Sequence, residues 1–132
     1  MPEKQSVPRR TIQQVADDVG LYPPEAYEFV QAGLQYTVQA MHGRGHPKGR
    51  HVNGRQLSEG LRDFALMQWG MLARAVLRRW HITRTDDFGR IVFAMIDSGW
   101  MSKTDDDTFE DFRGVFDFAA AFEEHYRIEC KV

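Results

Sequence analysis

Helical patterns joined by glycine occupy residues 53 to 99 and constrain the fold of this chain more than any other feature. In the first of them, apolar residues recur at spacings of three and four, which places them on one side of a helix. These residues are Leu57, Leu61, Phe64, Ala65 and Trp69. Asn53 and Gln56 have the spacing of a capping box, so the helix is predicted to start near Gly54. Gly70 is predicted to end or bend it.

Two further helices are predicted in the same stretch. A second apolar stripe indicates a short helix that ends near His81, and its members are Leu72, Ala75, Val76 and Trp80. Thr85 is placed to cap a third helix of residues 86 to 98, because Asp86 and Asp87 then lie in its first turn, where the helix dipole favours carboxylates. Gly99 suits the left-handed position just past its end.

The remaining sequence also favours helices. A short helix is predicted from Thr11, closed by Gly20, and a longer one from Pro24, since proline fits the first turn of a helix. Within the longer helix, Gly33 predicts close contact with a neighbouring element. Thr104 is placed to cap another helix, with acidic residues 105 to 107 in its first turn.

These patterns predict an all-α protein, a single compact orthogonal bundle of about five to six short helices. Short extended pieces are expected at most near Ile82 and Ile128. Residues 1 to 10 are expected to form a flexible arm, and residues 11 to 132 a single helical domain with a basic loop at 42 to 53. A chain of 132 residues can bury a sufficient core.

The location of the protein is predicted from what the sequence lacks. The single cysteine, Cys130, excludes an internal disulfide framework. No signal-like apolar run precedes the polar start, and no segment approaches the roughly 20 apolar residues of a membrane span. We therefore expect a cytoplasmic protein without membrane contact.

The net charge of −2 conceals an asymmetry. Residues 1 to 82 contain eleven Lys or Arg and seven Asp or Glu, whereas residues 83 to 132 contain six and twelve. The two parts therefore carry +4 and −6. This polarity is compatible with attraction inside the monomer and equally with a charged partner.

Four segments carry a resemblance to a known group of proteins. They are PPEAYEFVQAGLQYT at 23 to 37, RHVNGRQLSEGLRDFA at 50 to 65, TRTDDFGRIVFAMIDSG at 83 to 99 and KTDDDTFEDFRGVFDFAAAF at 103 to 122. Together they resemble the uncharacterised small conserved-hypothetical family of planctomycete and verrucomicrobial bacteria. The resemblance implies a bacterial, intracellular, single-domain protein, and it implies no substrate, cofactor or catalytic residue.

Three histidines in the basic loop are candidate metal ligands. His42, His46 and His51 are spaced so that neutral imidazoles could approach one ion. The loop offers no Cys, Asp or Glu as a fourth ligand, so we expect no cofactor and no metal unless carboxylates from 105 to 107 complete the site. The more ordinary interpretation is three solvated histidines.

The same loop has a cluster of cations that could bind a partner, and its members are Arg44, Lys48, Arg50 and Arg55. Residues 71 to 98 have the outline of a helix-turn-helix, which would favour nucleic acid. Asp86 and Asp87 would repel the phosphate backbone, and the pI of about 6.2 is not basic. Nucleic acid is therefore an unlikely partner.

Trp100 and Met101 follow a helix-ending glycine and are candidates for a contact surface with a second copy or another protein, since such residues are enriched in interface centres. The alternative is that they cover the core of the monomer.

No catalytic motif is present, and no catalytic residue can be assigned. The sequence favours a non-enzymatic, cytoplasmic domain that binds a macromolecule, with a protein partner or a homo-oligomer as the expected complex. The alternatives are a helix-turn-helix-like nucleic-acid-binding domain and a metal-dependent enzyme that uses the loop histidines.

Overall fold

The computed structural model describes residues 8–42 and 51–124. In these ranges the helices are α1 (Ile12–Val19), α2 (Pro24–His42), α3 (Gly54–Trp69), α4 (Ala73–Arg79) and α5 (Thr85–Ser98). A 3-10 turn at Gly70–Leu72 joins α3 to α4, and a 3-10 turn at Phe109–Phe112 and a π-helical turn at Ala119–Glu124 follow α5. The described ranges contain no strand, so the predicted all-α class is confirmed.

Capping boxes begin the first and third helices, and the sequence predicts the one at Asn53. The hydroxyl of Thr11 accepts the Gln14 N–H at 3.1 Å, and the Gln14 side chain accepts the Thr11 N–H at 2.8 Å. Asn53 and Gln56 exchange the same two bonds at 2.8 and 2.9 Å. Each box satisfies two amides that a helix start leaves without intrahelical partners.

The core lies between α2, α3 and α5. α2 packs against α3 over much of its length, and α5 contacts α1, α2 and α3. Gly33 makes the close approach that the sequence predicts, because a side-chain carbon there would overlap Leu61. Fully buried large side chains fill the centre, among them Tyr27, Leu34, Leu57, Leu61, Phe88, Ile91 and Met95.

The predicted apolar stripe of α4 is wrong in part, although its last member, Trp80, packs against the core. Ala73 and Leu77 are the buried residues of this helix, whereas Leu72 is 62% exposed and Ala75 is exposed. The 3-10 turn before α4 advances three residues per turn, so it shifts the phase of the residues that follow.

Two predicted helix starts also differ. Thr85 does not cap α5, because its hydroxyl is buried and donates to the Phe112 carbonyl at 2.6 Å. No α-helix begins at Thr104. The carboxylate of Asp107 instead accepts the Thr104 N–H at 2.9 Å, and such local side-chain bonds favour turns over a continuous helix.

Within the described residues, no helix combines the length and the apolar character needed to cross a membrane.

Candidate functional site

The predicted basic loop lies mostly outside the described residues, and Arg44, His46, Lys48 and Arg50 lie there with it. Arg55 stands exposed in the first turn of α3, where its Nε is 3.8 Å from a carboxylate oxygen of Glu59. An exposed pair at this distance contributes little to stability. A role of this cluster in binding a partner stays a prediction.

His42 and His51 meet where α2 ends and the chain enters α3. Nε2 of His42 is 2.7 Å from the His51 carbonyl oxygen, and Nε2 of His51 is 3.3 Å from Oδ1 of Asp107. Asp107 is 4% exposed, and the contact is within ion-pair range without hydrogen-bond alignment. Among the described residues, no three His, Cys, Asp or Glu side chains form a metal-binding group. The contact between His51 and Asp107 therefore connects the segment just before α3 to the turn at residues 104–107.

Of the two residues of the expected contact surface, Met101 is buried and Trp100 is partly buried. Met101 is 1% exposed, and the partly buried indole of Trp100 donates to the Arg10 carbonyl at 2.8 Å. Residues 8–10 run beside the end of α5, where the Arg9 N–H donates to the Ser98 carbonyl at 2.9 Å. Both residues therefore cover the core of the monomer, which is the alternative that the sequence left open.

The helix-turn-helix interpretation requires α5 to present a free face to DNA. α5 instead lies at the centre of the fold, and on this helix only Arg90 and Asp97 are classed as exposed. The buried faces of α5 are therefore not open to a DNA groove in this fold, and nucleic-acid binding stays an alternative prediction.

An exposed apolar surface lies where α3 turns into α4. Met67, Met71 and Leu72 are 62%, 69% and 62% exposed, respectively. Ala75 and Arg78 lie three residues apart on one face of α4 and are also exposed. We call these five residues the corner surface. Contiguous exposed apolar patches mark interaction sites on protein surfaces, so this group is a candidate for one.

A rigid aromatic cluster supports the corner surface from within. The ring centroids of Phe29 and Trp69 are 5.3 Å apart, and those of Trp69 and Trp80 are 5.6 Å apart. Gly70 turns the chain with φ 53° and ψ −126°, a conformation that only glycine adopts readily. The turn is thus fixed by packing and by the backbone, which holds Met71 and Leu72 outside.

A second concave feature, which we call the Tyr22 groove, lies between the α1–α2 junction and the α4–α5 turn. It consists of two adjoining cavities of about 590 and 470 Å³. Gly20, Leu21, Tyr22 and His81 line both cavities, Asp87 and Arg90 line the first, and Arg79 lines the second.

Asp87 organises the inner wall of this groove. Its Oδ1 accepts the Tyr22 hydroxyl at 2.5 Å and Nη1 of Arg90 at 2.7 Å. Its Oδ2 accepts the backbone N–H groups of Thr83 and Arg84 at 2.9 and 3.2 Å. Burial raises the pKa of Tyr22 above its usual value, and the hydrogen bond to Asp87 raises it further. Both oxygens of the Asp87 carboxylate therefore accept hydrogen bonds. Asp87 is also 5% exposed.

His81 stands at the mouth of the groove with φ 66°, and no other described non-glycine residue has a positive φ. Its N–H donates to the Arg78 carbonyl at 2.9 Å, and the Ile82 N–H donates to the Leu77 carbonyl at 2.9 Å. This pair of bonds is a Schellman motif, and His81 occupies the left-handed position where glycine is usual.

Sequence reasoning missed both features. Met67 and Met71 are four residues apart and lie off the Leu57–Leu61–Phe64 stripe, which is a signal of an exposed apolar face. The groove gave no comparable signal, because Tyr22 and Asp87 are 65 positions apart.

Comparison of the chain with protein-family models, with curated proteins and with solved structures finds no match. The resemblance to a planctomycete and verrucomicrobial family accordingly stays a prediction.

Proposed function

We propose that this chain is a non-enzymatic, cytoplasmic protein-binding domain whose corner surface docks an acidic amphipathic helix of another protein. One observation carries the proposal: Met67, Met71 and Leu72 are each more than half exposed, although the domain has an apolar core available to large side chains.

The apolar part of the surface supplies the binding energy. Burying a fully exposed Met or Leu side chain contributes about 1.5–3 kcal/mol. Methionine also adapts its shape to a partner because it is unbranched and polarisable. The aromatic cluster beneath the turn keeps the surface preorganised, which reduces the entropy lost on binding.

The charge beside this surface selects the partner. Arg78 belongs to the corner surface and is exposed, and residues 71 to 79 contain no acidic residue. The nearest preceding acid on α3, Asp63, is paired with Arg62 at 3.0 Å. A helix with an apolar face and acidic edges would satisfy both parts of the surface.

Peptide display tests the proposal. A library of peptides of about four helical turns is selected on the whole chain. Enriched peptides are expected to be amphipathic and acidic, and to lose about tenfold or more in affinity for the Met67→Ser/Met71→Ser variant. Met41→Ser is the matched control, because Met41 is 44% exposed elsewhere on the surface. Equal binding to the double variant would contradict the proposal.

Charge reversal and light scattering complete the test. Arg78→Glu is expected to weaken the binding of an enriched peptide. Replacing the acidic residues of the peptide by lysine is expected to restore that binding. If the free protein instead forms a dimer that the Met67→Ser/Met71→Ser variant abolishes, the occupant is a second copy and the proposed partner is wrong.

A further inference from the structure

We propose that the Tyr22 groove binds a small organic anion, a molecule with a carboxylate or phosphate group on an apolar body. This site is separate from the corner surface and does not depend on the proposed protein-binding function.

The groove is open to solvent and has the volume of a small-molecule site. Its cavities of about 590 and 470 Å³ fall within the usual range for small-molecule sites, roughly 300–1,000 Å³. Leu21 is 53% exposed at the rim, and Pro23 and Pro24 extend the apolar wall of the second cavity. An apolar ligand body therefore has a surface to lie against.

The free hydrogen-bond donors of the groove favour an anion. Arg79, His81 and Arg90 line it, whereas both oxygens of Asp87 already accept hydrogen bonds and its charge is balanced by Arg90. The second acid, Asp17, lines only the second cavity, where the charge of Arg79 balances it. Within the described part of the chain, the side chains of Arg79 and His81 have no hydrogen bond or ion pair.

Arg90 is positioned for this role. Asp87 holds one guanidinium nitrogen at 2.7 Å, while the side chain remains 44% exposed. A guanidinium has five N–H donors, so groups not bound to Asp87 remain for an oxyanion. Because the side chain is already held in place, a ligand would lose little entropy in binding it.

The residue at position 81 gives a second, independent argument. The Schellman motif at the end of α4 requires a left-handed residue, and glycine would meet that requirement with less strain. A histidine there places an imidazole at the mouth of the groove at the expense of backbone strain. Residues held in such conformations are concentrated at ligand sites.

Substitution of His81 separates its role in ending α4 from its proposed role in binding an anion. In His81→Gly, unfolding is expected to require the same or a higher denaturant concentration, because glycine relieves the strain. Anion affinity is expected to fall about fivefold or more, since a charge-assisted contact is lost. A structural role alone would leave anion affinity unchanged.

The probes are phenyl phosphate, benzoate and, as the neutral control, benzyl alcohol. Each is titrated into ¹⁵N-labelled protein, and shifts of the Leu21, His81 and Arg90 amide signals are followed. At least one anion is expected to shift these signals by saturable binding, and the preferred one distinguishes phosphate from carboxylate. If neither anion binds there, or benzyl alcohol binds equally well, the proposal is wrong.

Neighbouring arginines provide the matched variants. Arg79→Gln removes a cation that lines the groove, and it is expected to lower the affinity for the preferred anion about fivefold or more. Arg78→Gln removes the adjacent arginine, which does not line the groove, and is expected to leave anion binding unchanged. Wild-type affinity in both Arg79→Gln and His81→Gly would overturn the assignment, and a folded His81→Gly variant excludes misfolding as the cause of lost binding.

Discussion

The hydroxyl of Tyr22 donates a 2.5 Å hydrogen bond to the buried carboxylate of Asp87, and this contact joins the α1–α2 junction to the first turn of α5. Arg90 donates to the same oxygen, and the backbone of Thr83 and Arg84 donates to the other. One carboxylate therefore fixes the start of the central helix and the inner wall of the groove.

Tyr22→Phe should destabilise the protein. A hydrogen bond to a charged acceptor contributes about 1.5–3 kcal/mol, but Asp87 keeps its other donors. We expect the free energy of unfolding to fall by about 1–2 kcal/mol in chemical denaturation. Tyr36→Phe is the control, because no hydrogen bond of the Tyr36 hydroxyl is found in the described residues. Equal stability of the two variants would show that the Tyr22–Asp87 hydrogen bond makes no net contribution to the free energy of unfolding.

Tyr27→Phe should have the opposite effect. The Tyr27 hydroxyl is buried and has no hydrogen-bond partner among the described residues, so its removal relieves an unsatisfied polar group. We expect stability at pH 7 to be unchanged or raised by up to about 2 kcal/mol. A clear loss of stability in thermal unfolding would contradict this.

Alkaline pH should destabilise the protein through the ionisation of Tyr27. Burial raises the pKa of Tyr27 from 10.0 to about 12, so the folded state holds this proton more tightly than the unfolded chain. The resulting stability is complete below pH 10 and is lost as the pH rises towards 12. Denaturation from pH 8 to 11.5 should show this decline, and Tyr27→Phe should reduce its slope. A slope that the substitution leaves unchanged would exclude Tyr27 as a contributor.

Gly60→Ala tests the close contact of α2 and α3. A β-carbon at Gly60 would overlap the buried side chain of Thr37. Alanine gains about 0.5–1 kcal/mol in helix propensity, whereas overpacking costs about 1–3 kcal/mol, so we expect a net loss of about 1–2 kcal/mol. Thr37→Ala in the same protein should recover part of the loss. If Thr37→Ala recovers none of the lost stability, the strain caused by Gly60→Ala does not come from contact with Thr37.

The contact of His51 with Asp107 can be measured by a double-mutant cycle of His51→Gln and Asp107→Asn. The imidazole is 37% exposed, so we expect a coupling of only about 0.5–1 kcal/mol at pH 6. Unfolding free energies of the four proteins give this value. A coupling near zero would show that the two groups are merely adjacent.

Local sequence signals determined much of the helical framework. The capping residues Thr11 and Asn53 and the left-handed Gly99 act within one turn of their own position, so their effects can be predicted from neighbouring residues. The predicted apolar stripe of α4 was wrong in part for a related reason, because the 3-10 turn at Gly70–Leu72 changed the helical period that the prediction assumed.

The sequence by itself determined that this protein is all-α and where several helices begin and end, because caps, glycines and periodicity are local. Only the tertiary structure decided that Met101 is buried, that Met67 and Met71 face outward, and that Tyr22 meets Asp87. Those outcomes depend on which residues distant in the chain pack together, and their free energy comes from burial and hydrogen bonds that exist only after the helices have assembled.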